Sequence, residues 1–581
     1  MTSSAFLSCH AGFNCAALSA DGEAWQRAAH AAIRRRLEEA EADARGGSAR
    51  ARNVVLAVGD GMGLSTVTAA RILAGQRLGS SGEDHHLTWD RFPATALART
   101  YNADAQTGES SACATALLCG VKANRETVGL DARARFEDCP SSHTSRVPSL
   151  LYWAQHKGMA TGIVTNTRVT HATPAALYAH SASRYWEDDS KMSPATRKIC
   201  KDIARQLVED TPGRNITVVL GGGRRHWLPR EARDPELDAE EGRRLDGRNL
   251  IEDWLRDKKR RGLRAAYAWN RQQLNRLART PLDHLIGLFA YSHLDFEADR
   301  DTGPEGDPSL AEMALAALQL LRRSPAGFFL FIEGGRIDHA HHYNNAYRAL
   351  DETLALDAAL SAILPLVDLR DTLVVVTADH SHVLTMGALN APRGNPILGV
   401  DGKVSDVDSL EYSVLLYGNG PGYASPRLAP ANSSGDRNAV HSSAVPRQWA
   451  THAGEDVPVY AAGPLATRLF AGSVDQTYVP HAVAWAACLG RYASRCTNAS
   501  GGGGGAHDAD GPAGACDRER ERDRAGASVV FLASSVQADA SGPGPGHGHG
   551  AGPASGSGPS MHRALAAPAL LWLAAAARAR L

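Results

Sequence analysis

The sequence predicts an α/β fold with a central, mostly parallel β-sheet covered by helices on both faces. Two observations lead to this fold class. Apolar strands alternate with helices along the chain, and each strand is followed by Gly, Asp or His rather than by a hairpin turn. Strands that are apolar throughout are typical of parallel sheets, whose two faces are both covered. Ligands of such sheets bind beyond the carboxyl ends of the strands.

The elements follow from hydrophobic patterning, taken in chain order. Runs of apolar residues predict buried strands over 53–58, 161–166, 215–220, 328–332 and 371–377. Helices are predicted over 25–44, from Ser65 or Thr66 onward, over 112–118 and over 347–364. The glycine-rich turn after the first strand and the helix that follows it form a βα unit.

Composition excludes some classes of function. The chain has 581 residues, of which 43% are hydrophobic and 22% charged, with a net charge of -1. This length allows a large core. A neutral chain has no electrostatic footprint for a nucleic acid, so we predict no nucleic-acid partner.

Changes in composition divide the chain. Residues 21–384 form the first part of the α/β domain, and residues 451–500 close it. Between them, residues 385–450 are rich in Gly, Pro, Asn and Ser apart from a predicted strand over 412–417, which indicates a small inserted subdomain. Residues 501–563 have the composition of a disordered linker. Residues 1–20 lack Lys, Arg and a continuous apolar run, so they make a poor signal peptide; either export uses an atypical signal or this end is not the natural one.

Several features predict an extracellular protein. The tail 564–581 begins with about 14 apolar residues, fewer than the roughly 20 that span a bilayer. It resembles the signal for a glycosylphosphatidylinositol (GPI) lipid anchor, with Ser555 as candidate attachment site; the alternatives are a loosely structured Ala-rich tail and simple secretion. Glycosylation sequons begin at Asn215, Asn432 and Asn498. Among nine cysteines, the pairs 139/200 and 488/496 hint at disulfides, whereas Cys113 and Cys119 are predicted to be buried thiols.

The stretch GFFLFIEGGRIDHAHH, residues 327–342, combines a buried strand with a cluster of metal-type ligands. Asp338 and His342 are four residues apart, so on a helix they share a face and can bind one ion. A solvated, His-rich turn is the alternative for this stretch alone. This alternative is disfavoured because potential metal ligands also follow other strands. These ligands are Asp60, the pair His171 and Thr173, Glu333, and the pair Asp379 and His380.

Ser110 is the candidate nucleophile. It lies at a predicted helix start, where free N–H groups and the helix dipole favour a bound phosphate. Its alternative role is that of a helix N-cap. Arg184 follows the 161–166 strand and offers a planar fork for two phosphate oxygens, although an arginine taken alone is more often at the surface. Two divalent ions would complete a centre for displacement at phosphorus.

Six motifs resemble those of animal alkaline phosphatases. They are DGMGLSTVTAARILAGQ (60–76), SSACATALLCGVKAN (110–124), VTHATPAALYAH (169–180), EGGRIDHAHH (333–342), TADHSH (377–382) and THAGED (451–456). The resemblance runs in order from about residue 22 to about residue 500. It implies a three-layer α/β sandwich with a crown-like insertion at 385–450. It also implies a homodimer that hydrolyses small phosphomonoesters through a phosphoserine, with two zinc ions and one magnesium ion.

The resemblance assigns a role to each matching position. Ser110 would attack phosphorus and share one zinc with Asp379 and His380, and Asp60 would bridge that zinc and magnesium. The remaining assignments are as follows: Asp338, His342 and His452 hold the second zinc, Thr173 and Glu333 complete the magnesium shell, His171 lies just outside that shell, and Arg184 binds phosphate. His339 and His341 are left as supporting or solvent-facing groups. The cysteine pairs 139/200 and 488/496 match the family's bridges.

Two positions depart from the family pattern. Glu109 stands directly before the serine, where the family usually has Asp, and it keeps a carboxylate that can orient Arg184. The family's calcium site is matched by Glu236, Phe289 and Asp307, but Ala290 replaces its second glutamate. Calcium is therefore expected to bind weakly, if it binds.

Two other functions compete with phosphomonoester hydrolysis. A related phosphodiesterase or sulfatase would use a threonine or a modified cysteine as nucleophile, and Ser110 is neither. An inactive extracellular binding homologue would need a broken ligand set, whereas every zinc and magnesium position is filled. A metal-dependent phosphomonoesterase is the reading that the sequence favours.

Overall fold

A computed structural model describes residues 22, 26–27, 29–31, 33–34, 50–430 and 435–497. The described residues among 22–34 are helical, and the rest of the predicted helix 25–44 lies outside the described part. So do the segment 1–20, the linker 501–563, the tail 564–581 with Ser555, and the sequons at Asn432 and Asn498. These predictions, and the division of the chain into domains, stay predictions.

A ten-stranded mixed sheet forms the centre of the protein, in the order β14-β2-β13-β8-β1-β7-β3-β4-β6-β5. Only β13 runs antiparallel to its neighbours, β2 and β8, so the sheet is mostly parallel, as predicted. Its strands are β1 (Asn53–Gly59), β2 (Ala94–Arg99), β3 (Ala160–Arg168), β4 (Val218–Gly222), β5 (Ala265–Ala268), β6 (His284–Leu288), β7 (Phe328–Gly334), β8 (Thr372–Ala378), β13 (Val457–Ala462) and β14 (Gly472–Asp475). Short strands β9 (Ser381–His382), β10 (Leu384–Met386), β11 (Leu415–Tyr417) and β12 (His452–Ala453) form two further small sheets.

Helices follow most of these strands in the chain and pack against the sheet. They are α1 (Leu64–Arg77), α2 (Ser110–Cys119), α3 (Cys139–Thr144), α4 (Leu150–His156), α5 (Ala172–Ala175), α6 (Thr196–Ile199), α7 (Ile203–Glu209), α8 (Leu250–Arg260), α9 (Arg271–Leu277), α10 (Leu310–Leu321), α11 (Arg336–His342), α12 (Ala346–Ile363), α13 (Ala466–Leu469), α14 (Tyr478–Ala487) and α15 (Ser494–Thr497). Short 3-10 turns connect several of them.

The central strands β8, β1, β7 and β3 are the ones that the apolar runs predict. Every residue of β7 and β8 is buried, and so are six of the seven residues of β1. Their register aligns the carboxyl ends: Gly59 of β1 pairs with Gly334 of β7 and with Ala378 of β8. The polar residues that follow these strands therefore meet at one edge of the sheet.

Two predicted strands differ from the observed ones. The strand predicted over 215–220 begins only at Val218, because Gly213–Asn215 forms a 3-10 turn. The strand predicted over 412–417 is reduced to β11, Leu415–Tyr417. Its first half is occupied by loop contacts, since the Tyr412 hydroxyl donates to Asp401 over 2.6 Å and Ser413 forms only an isolated bridge.

The segment predicted as a crown-like insertion has a small structure of its own. Strands β10 and β11 pair antiparallel in a two-stranded sheet. Ile397, Leu398 and Val414 pack with them in a second hydrophobic cluster, which is completed by residues of α1 and the start of α12. This cluster attaches the segment to the helices that lead away from the sheet edge.

The predicted cysteine pairs are confirmed as disulfides, Cys139–Cys200 and Cys488–Cys496. Cys113 and Cys119 are free and buried, as predicted. Within the described residues, no helix has the length and apolar character needed to cross a membrane.

Candidate metal centre

Three carboxylates lie at the ends of adjacent central strands. Asp60 follows β1 directly, Glu333 is the penultimate residue of β7, and Asp379 follows β8 directly. All three side chains are fully buried. Thr165 of β3 pairs in register with Glu333, so the neighbouring strand reaches the same edge. The chain then turns into α5, which carries Thr173 beside His171.

These groups leave oxygens without hydrogen-bond partners in a buried site. They are both carboxylate oxygens of Asp60, Oδ2 of Asp379, Oε1 of Glu333 and the hydroxyl of Thr173. Buried polar oxygens are rarely left unpaired, because each costs free energy when it loses water without gaining a partner. Three carboxylates and a hydroxyl that converge in this way have the chemistry of a site for hard divalent cations.

The pKa values of these carboxyl groups are raised because their negative charges are buried and lie close together. Burial, followed by the charges of Asp379, Asp338 and Glu333, raises the pKa of Asp60 well above its usual range. Burial also raises the pKa of Glu333 to about 7 and that of Asp379 to about 7. Negative charges that repel one another out of water favour binding of cations.

Asp338 is the centre of a second group of ligands. Its carboxylate oxygens lie 3.2 Å from His342 Nε2 and 3.2 Å from His452 Nε2. A third ring, His382, also contacts the Asp338 carboxylate through Nε2. Burial opposes ionisation of Asp338, but His342 and His382 together bring its pKa well below the usual range. One carboxylate and three imidazoles form the type of set that zinc prefers.

Backbone carbonyls fix the rings of the two histidines predicted to hold zinc. Nδ1 of His342 lies 2.6 Å from the carbonyl of Ala450, and Nδ1 of His452 lies 2.9 Å from that of Gly108. A carbonyl only accepts, so each Nδ1 carries the proton and donates. The lone pair is thereby left on Nε2, which faces Asp338, and this is the tautomer that binds a metal.

Ser110 is the first residue of α2, and its hydroxyl points into the centre. Its Oγ lies 3.2 Å from His380 Nε2, which is in turn 3.3 Å from Asp379 Oδ2 and 3.5 Å from Asp60 Oδ1. The alternative role of N-cap belongs to Glu109, whose carboxylate accepts the N–H groups of Ser111 and Ala112. Ser110 is therefore free of the capping role.

Arg184 is held beside the serine by Glu109. Its guanidinium forms an ion pair with the Glu109 carboxylate and lies 3.1 Å from Nε2 of His171. Burial opposes the charge on Glu109, but Arg184 and the hydrogen bond from Ser111 lower its pKa to about 2. Because Arg184 is largely buried and ion-paired, it is not the surface arginine that was the alternative interpretation. The longer Glu109 side chain thus still orients Arg184.

Sequence reasoning missed one side chain of this centre. His382 lies two residues after His380, and in an extended chain residues two apart face the same side. This spacing is the local feature that could have drawn attention to His382, although it does not indicate the contact with Asp338. His341 is fully buried between Thr66 and Tyr417, so it is not solvent-facing.

The residues predicted for calcium form an incomplete set. Asp307 has one buried oxygen without a partner, and burial raises its pKa to about 7. Glu236, however, is engaged in an ion pair with the buried guanidinium of Arg224. Phe289 and Ala290 are both buried, and Ala290 offers no carboxylate. One unpartnered carboxylate oxygen fits a cation only weakly.

Buried carboxylates and histidines beside a serine, at the carboxyl edge of a parallel sheet, define a metal-dependent hydrolase. The family model for alkaline phosphatase matches residues 51–489. The chain belongs to the alkaline phosphatase family, whose members are phosphomonoester hydrolases.

Curated relatives agree with this membership. The chain is 48% identical to the tissue-nonspecific alkaline phosphatase of Gallus gallus over 458 residues, which are 78% of this chain and 87% of that protein. It is 46% identical to the tissue-nonspecific enzyme of Homo sapiens, over 78% of this chain and 86% of that protein. Membrane-bound alkaline phosphatase of Bombyx mori is 44% identical over 83% and 88% of the two chains.

Solved structures support the fold. The alkaline phosphatase of the Antarctic bacterium TAB5 matches with a TM-score of 0.53 at 20% identity, over 76% of this chain and 99% of that one. The alkaline phosphatase of Thermus thermophilus matches with a TM-score of 0.53 at 24% identity, over 75% and 91% of the two chains. The predicted α/β fold with a mostly parallel sheet is confirmed.

The raised pKa values of the buried carboxyl groups allow a prediction of how the stability of the metal-free protein, prepared with a chelator, depends on pH. Between about pH 4, where carboxyl groups titrate in an unfolded chain, and about pH 7, where Glu333 and Asp379 titrate in the fold, the folded state binds more protons. Stability therefore falls as pH rises through this window. The melting temperature of the metal-free protein is expected to be lower at pH 8 than at pH 5.

Zinc and magnesium should raise the melting temperature more at pH 8 than at pH 5, since they compete with protons for the same oxygens. The substitution Asp379→Asn should flatten the pH dependence of the metal-free protein. A metal-free protein that is as stable at pH 8 as at pH 5 contradicts this account.

Proposed function

We propose that this enzyme hydrolyses phosphomonoesters through a phosphoserine formed on Ser110, with two zinc ions and one magnesium ion. The observation that carries the proposal is the set of buried oxygens without partners around Asp60, adjoining the Ser110 hydroxyl. Family membership gives the reaction class, and the side-chain contacts support the assignment of roles.

Each ion is assigned to the groups that suit it. One zinc would be held by Asp379, His380, Asp60 and Ser110. The second would be held by Asp338, His342 and His452, with His382 in contact with Asp338. Magnesium prefers oxygen ligands, and it would be held by the oxygens of Asp60, Thr173 and Glu333. When bound, the ions lower the pKa of the attacking groups and neutralise charge on the phosphate.

The protein's own residues then orient the reaction. The Ser110 oxygen forms a bond to phosphorus while its proton passes to water, the bond from phosphorus to the leaving alcohol breaks, and the alcohol oxygen takes a proton from water. Ser110 begins α2, so the positive end of that helix dipole favours the phosphate. Arg184, held by Glu109, grips phosphate oxygens with its planar fork. His171 contacts Arg184 through Nε2 and keeps its guanidinium in place. Water then cleaves the phosphoserine and restores Ser110.

The competing functions receive less support. A phosphodiesterase or sulfatase would need a different nucleophile, whereas a serine hydroxyl lies in the centre. An inactive binding homologue would need a disrupted ligand set, whereas the predicted ligands of each ion come together around Asp60 and Asp338.

Location and assembly are also part of the proposal. We propose that the enzyme acts on the extracellular side of the plasma membrane, attached there by a GPI anchor, and that it forms a homodimer. The two disulfides support an oxidising compartment. The relative from Bombyx mori is named as membrane-bound, which supports the membrane attachment.

Substitution of the nucleophile tests the reaction directly. Ser110→Ala should lower kcat for 4-nitrophenyl phosphate by about 10³-fold or more, because no other hydroxyl can form the covalent intermediate. Release of nitrophenol by the parent enzyme should disappear in a chelator and return with zinc and magnesium.

Ser111→Ala is the matched control. The Ser111 hydroxyl donates to Glu109 over 2.6 Å but is not bonded to His380, so its loss should reduce kcat by less than about tenfold. An Ser110→Ala variant that keeps metal-dependent activity close to the parent, or a parent without such activity, would falsify the proposal.

Calcium is assigned a weak site at Asp307. The cation would be held by Asp307 with Glu236 and the backbone of Phe289. Its affinity would be reduced because Glu236 also pairs with Arg224. Fewer carboxylates mean weaker calcium binding. The site is thus proposed to fill only at high calcium concentration.

A single substitution tests this view. Ala290→Glu adds a third carboxylate and should lower the calcium concentration that half-saturates the increase in melting temperature by about tenfold or more. Ala290→Gln, of similar size but uncharged, is the control. The prediction is wrong if the parent already saturates at micromolar calcium, or if the glutamate and glutamine variants respond alike.

A further inference from the structure

A cavity of about 420 Å³ opens beside the metal centre. It is lined by His293, Arg336, His339, His342, Tyr343 and Trp449. His342 belongs to both places, since its Nε2 faces Asp338 while its ring forms part of the cavity wall. Asp338 in turn groups with His380, whose Nε2 lies 3.2 Å from Ser110 Oγ, so the cavity opens beside the centre that contains Ser110.

Three imidazoles meet at the inner wall of this cavity. The ring centroids of His171, His293 and His339 are 4.3 to 5.4 Å apart. Their nitrogens are close enough together to suggest a metal site. The arginines around them decide between a cation and an anion.

Each of these rings contacts an arginine. Arg184 lies 3.1 Å from His171 Nε2, and Arg336 Nη1 lies 3.1 Å from His339 Nδ1. Arg168 reaches both nitrogens of His293, through its guanidinium and its backbone N–H.

Arginine only donates, so Nε2 of His171 and Nδ1 of His339 accept with their lone pairs. One nitrogen of His293 accepts in the same way, because a neutral imidazole has a single acceptor nitrogen. Those lone pairs are not available to a metal, and the adjacent guanidinium charges repel a cation. The cluster is arranged for an anion.

Arg336 supplies the charge for that anion. Arg168 is paired with Glu187 and Arg184 with Glu109, whereas Arg336 forms no ion pair with any carboxylate that the structure describes. Its Nε is buried without a partner, and its guanidinium lies 3.7 Å from the centroid of the Phe296 ring. Arg336 thus lines the cavity without an ion-pair partner among the described residues.

Glu352 and Asp295 are the two acids whose charges act most on Arg336, and neither forms an ion pair with it. Glu352 accepts hydrogen bonds from Asn166 and from the backbone N–H of Glu297, each over 2.7 Å. Burial raises the pKa of Glu352 to about 8, so this carboxyl group is mostly uncharged at neutral pH.

Two aromatic side chains form the outer wall. Tyr343 is 47% exposed and Trp449 is 51% exposed, and their ring centroids are 5.0 Å apart. Large aromatic groups left open to water beside an arginine favour a ligand with an apolar or aromatic body. The cavity thus offers an aromatic surface outside and an unpaired cation inside.

We infer that this cavity binds the leaving group of a class of substrates: phosphomonoesters that carry a second anionic group, a carboxylate or a phosphate, on an apolar or aromatic body. Arg336 binds the second anion, and Tyr343 with Trp449 contacts the body. The inference rests on the proposed function, because the first phosphate is the one placed at Ser110.

The test compares two substrates that differ by one charge, 4-nitrophenyl phosphate and 3-carboxy-4-nitrophenyl phosphate, on the full-length enzyme loaded with zinc and magnesium. The measured quantity is the ratio of kcat/KM for the carboxylated substrate to kcat/KM for the plain one. Arg336→Gln should lower this ratio about tenfold or more, because a charge-assisted hydrogen bond is lost. His293→Gln, which lies in a loop outside α11, should lower it in the same direction and serves if Arg336→Gln does not fold.

Arg348→Gln is the matched control. Arg348 also lies over the Phe296 ring, at 5.3 Å, but is paired with Asp299. Its loss should leave the ratio within about twofold of the parent. A ratio that is unchanged in Arg336→Gln and His293→Gln, or that falls equally in Arg348→Gln, overturns the inference.

A binding measurement separates this inference from the proposed function. Calorimetry compares phenylphosphonate with 4-carboxyphenylphosphonate, which need no turnover, on the parent and the same variants. An enzyme that hydrolyses neither substrate but binds the carboxylated phosphonate more tightly, in an Arg336-dependent way, contradicts the proposed function and supports the subsite. An additional zinc ion per chain that is lost in His293→Gln shows a metal at the three imidazoles and overturns the subsite.

Discussion

Asp60, Glu333 and Asp379 end three adjacent buried strands, and the aligned carboxyl ends of β1, β7 and β8 bring their charges together out of water. Hydrogen bonds reach one oxygen each of Glu333 and Asp379, but several of the other carboxylate oxygens have no partner. Among the described residues, no arginine forms an ion pair with these three carboxylates. Such an arrangement is unfavourable unless cations occupy it. The other side chains of the centre are placed so that they can help to hold these cations.

The same constraint explains how neighbouring groups are arranged. Asp338 carries the second concentration of negative charge, and carbonyl groups turn His342 and His452 so that their lone pairs face it. Glu109 is treated differently, because it has Arg184 as a partner and stays ionised as the cap of α2. The charge of Glu109 is thus paired with an arginine, whereas oxygens of Asp60, Glu333 and Asp379 are left without partners for metal ions.

Much of this was predictable from the sequence. The apolar runs gave the four central strands to within two residues, and the polar residues after them gave the edge where the ligands meet. Five strands of the main sheet were not predicted: β2, β5, β6, β13 and β14. Alanine, polar and glycine residues make β2, β5 and β14 too weakly apolar to stand out before the sheet forms. The short apolar runs of β6 and β13 were passed over. Contacts across long sequence separations, such as His382 with Asp338 or Arg336 with Phe296, depend on the fold and left no local signal strong enough to assign them.

Metal occupancy is the most direct test of this account. Crystals of the enzyme grown with zinc and magnesium should give two anomalous peaks at the zinc edge, one among Asp379, His380 and Ser110 and the other among Asp338, His342 and His452. A lighter ion without zinc signal should lie between Asp60, Thr173 and Glu333. Crystals in which these oxygens are bridged only by water, with no anomalous peak at either group, would contradict the account.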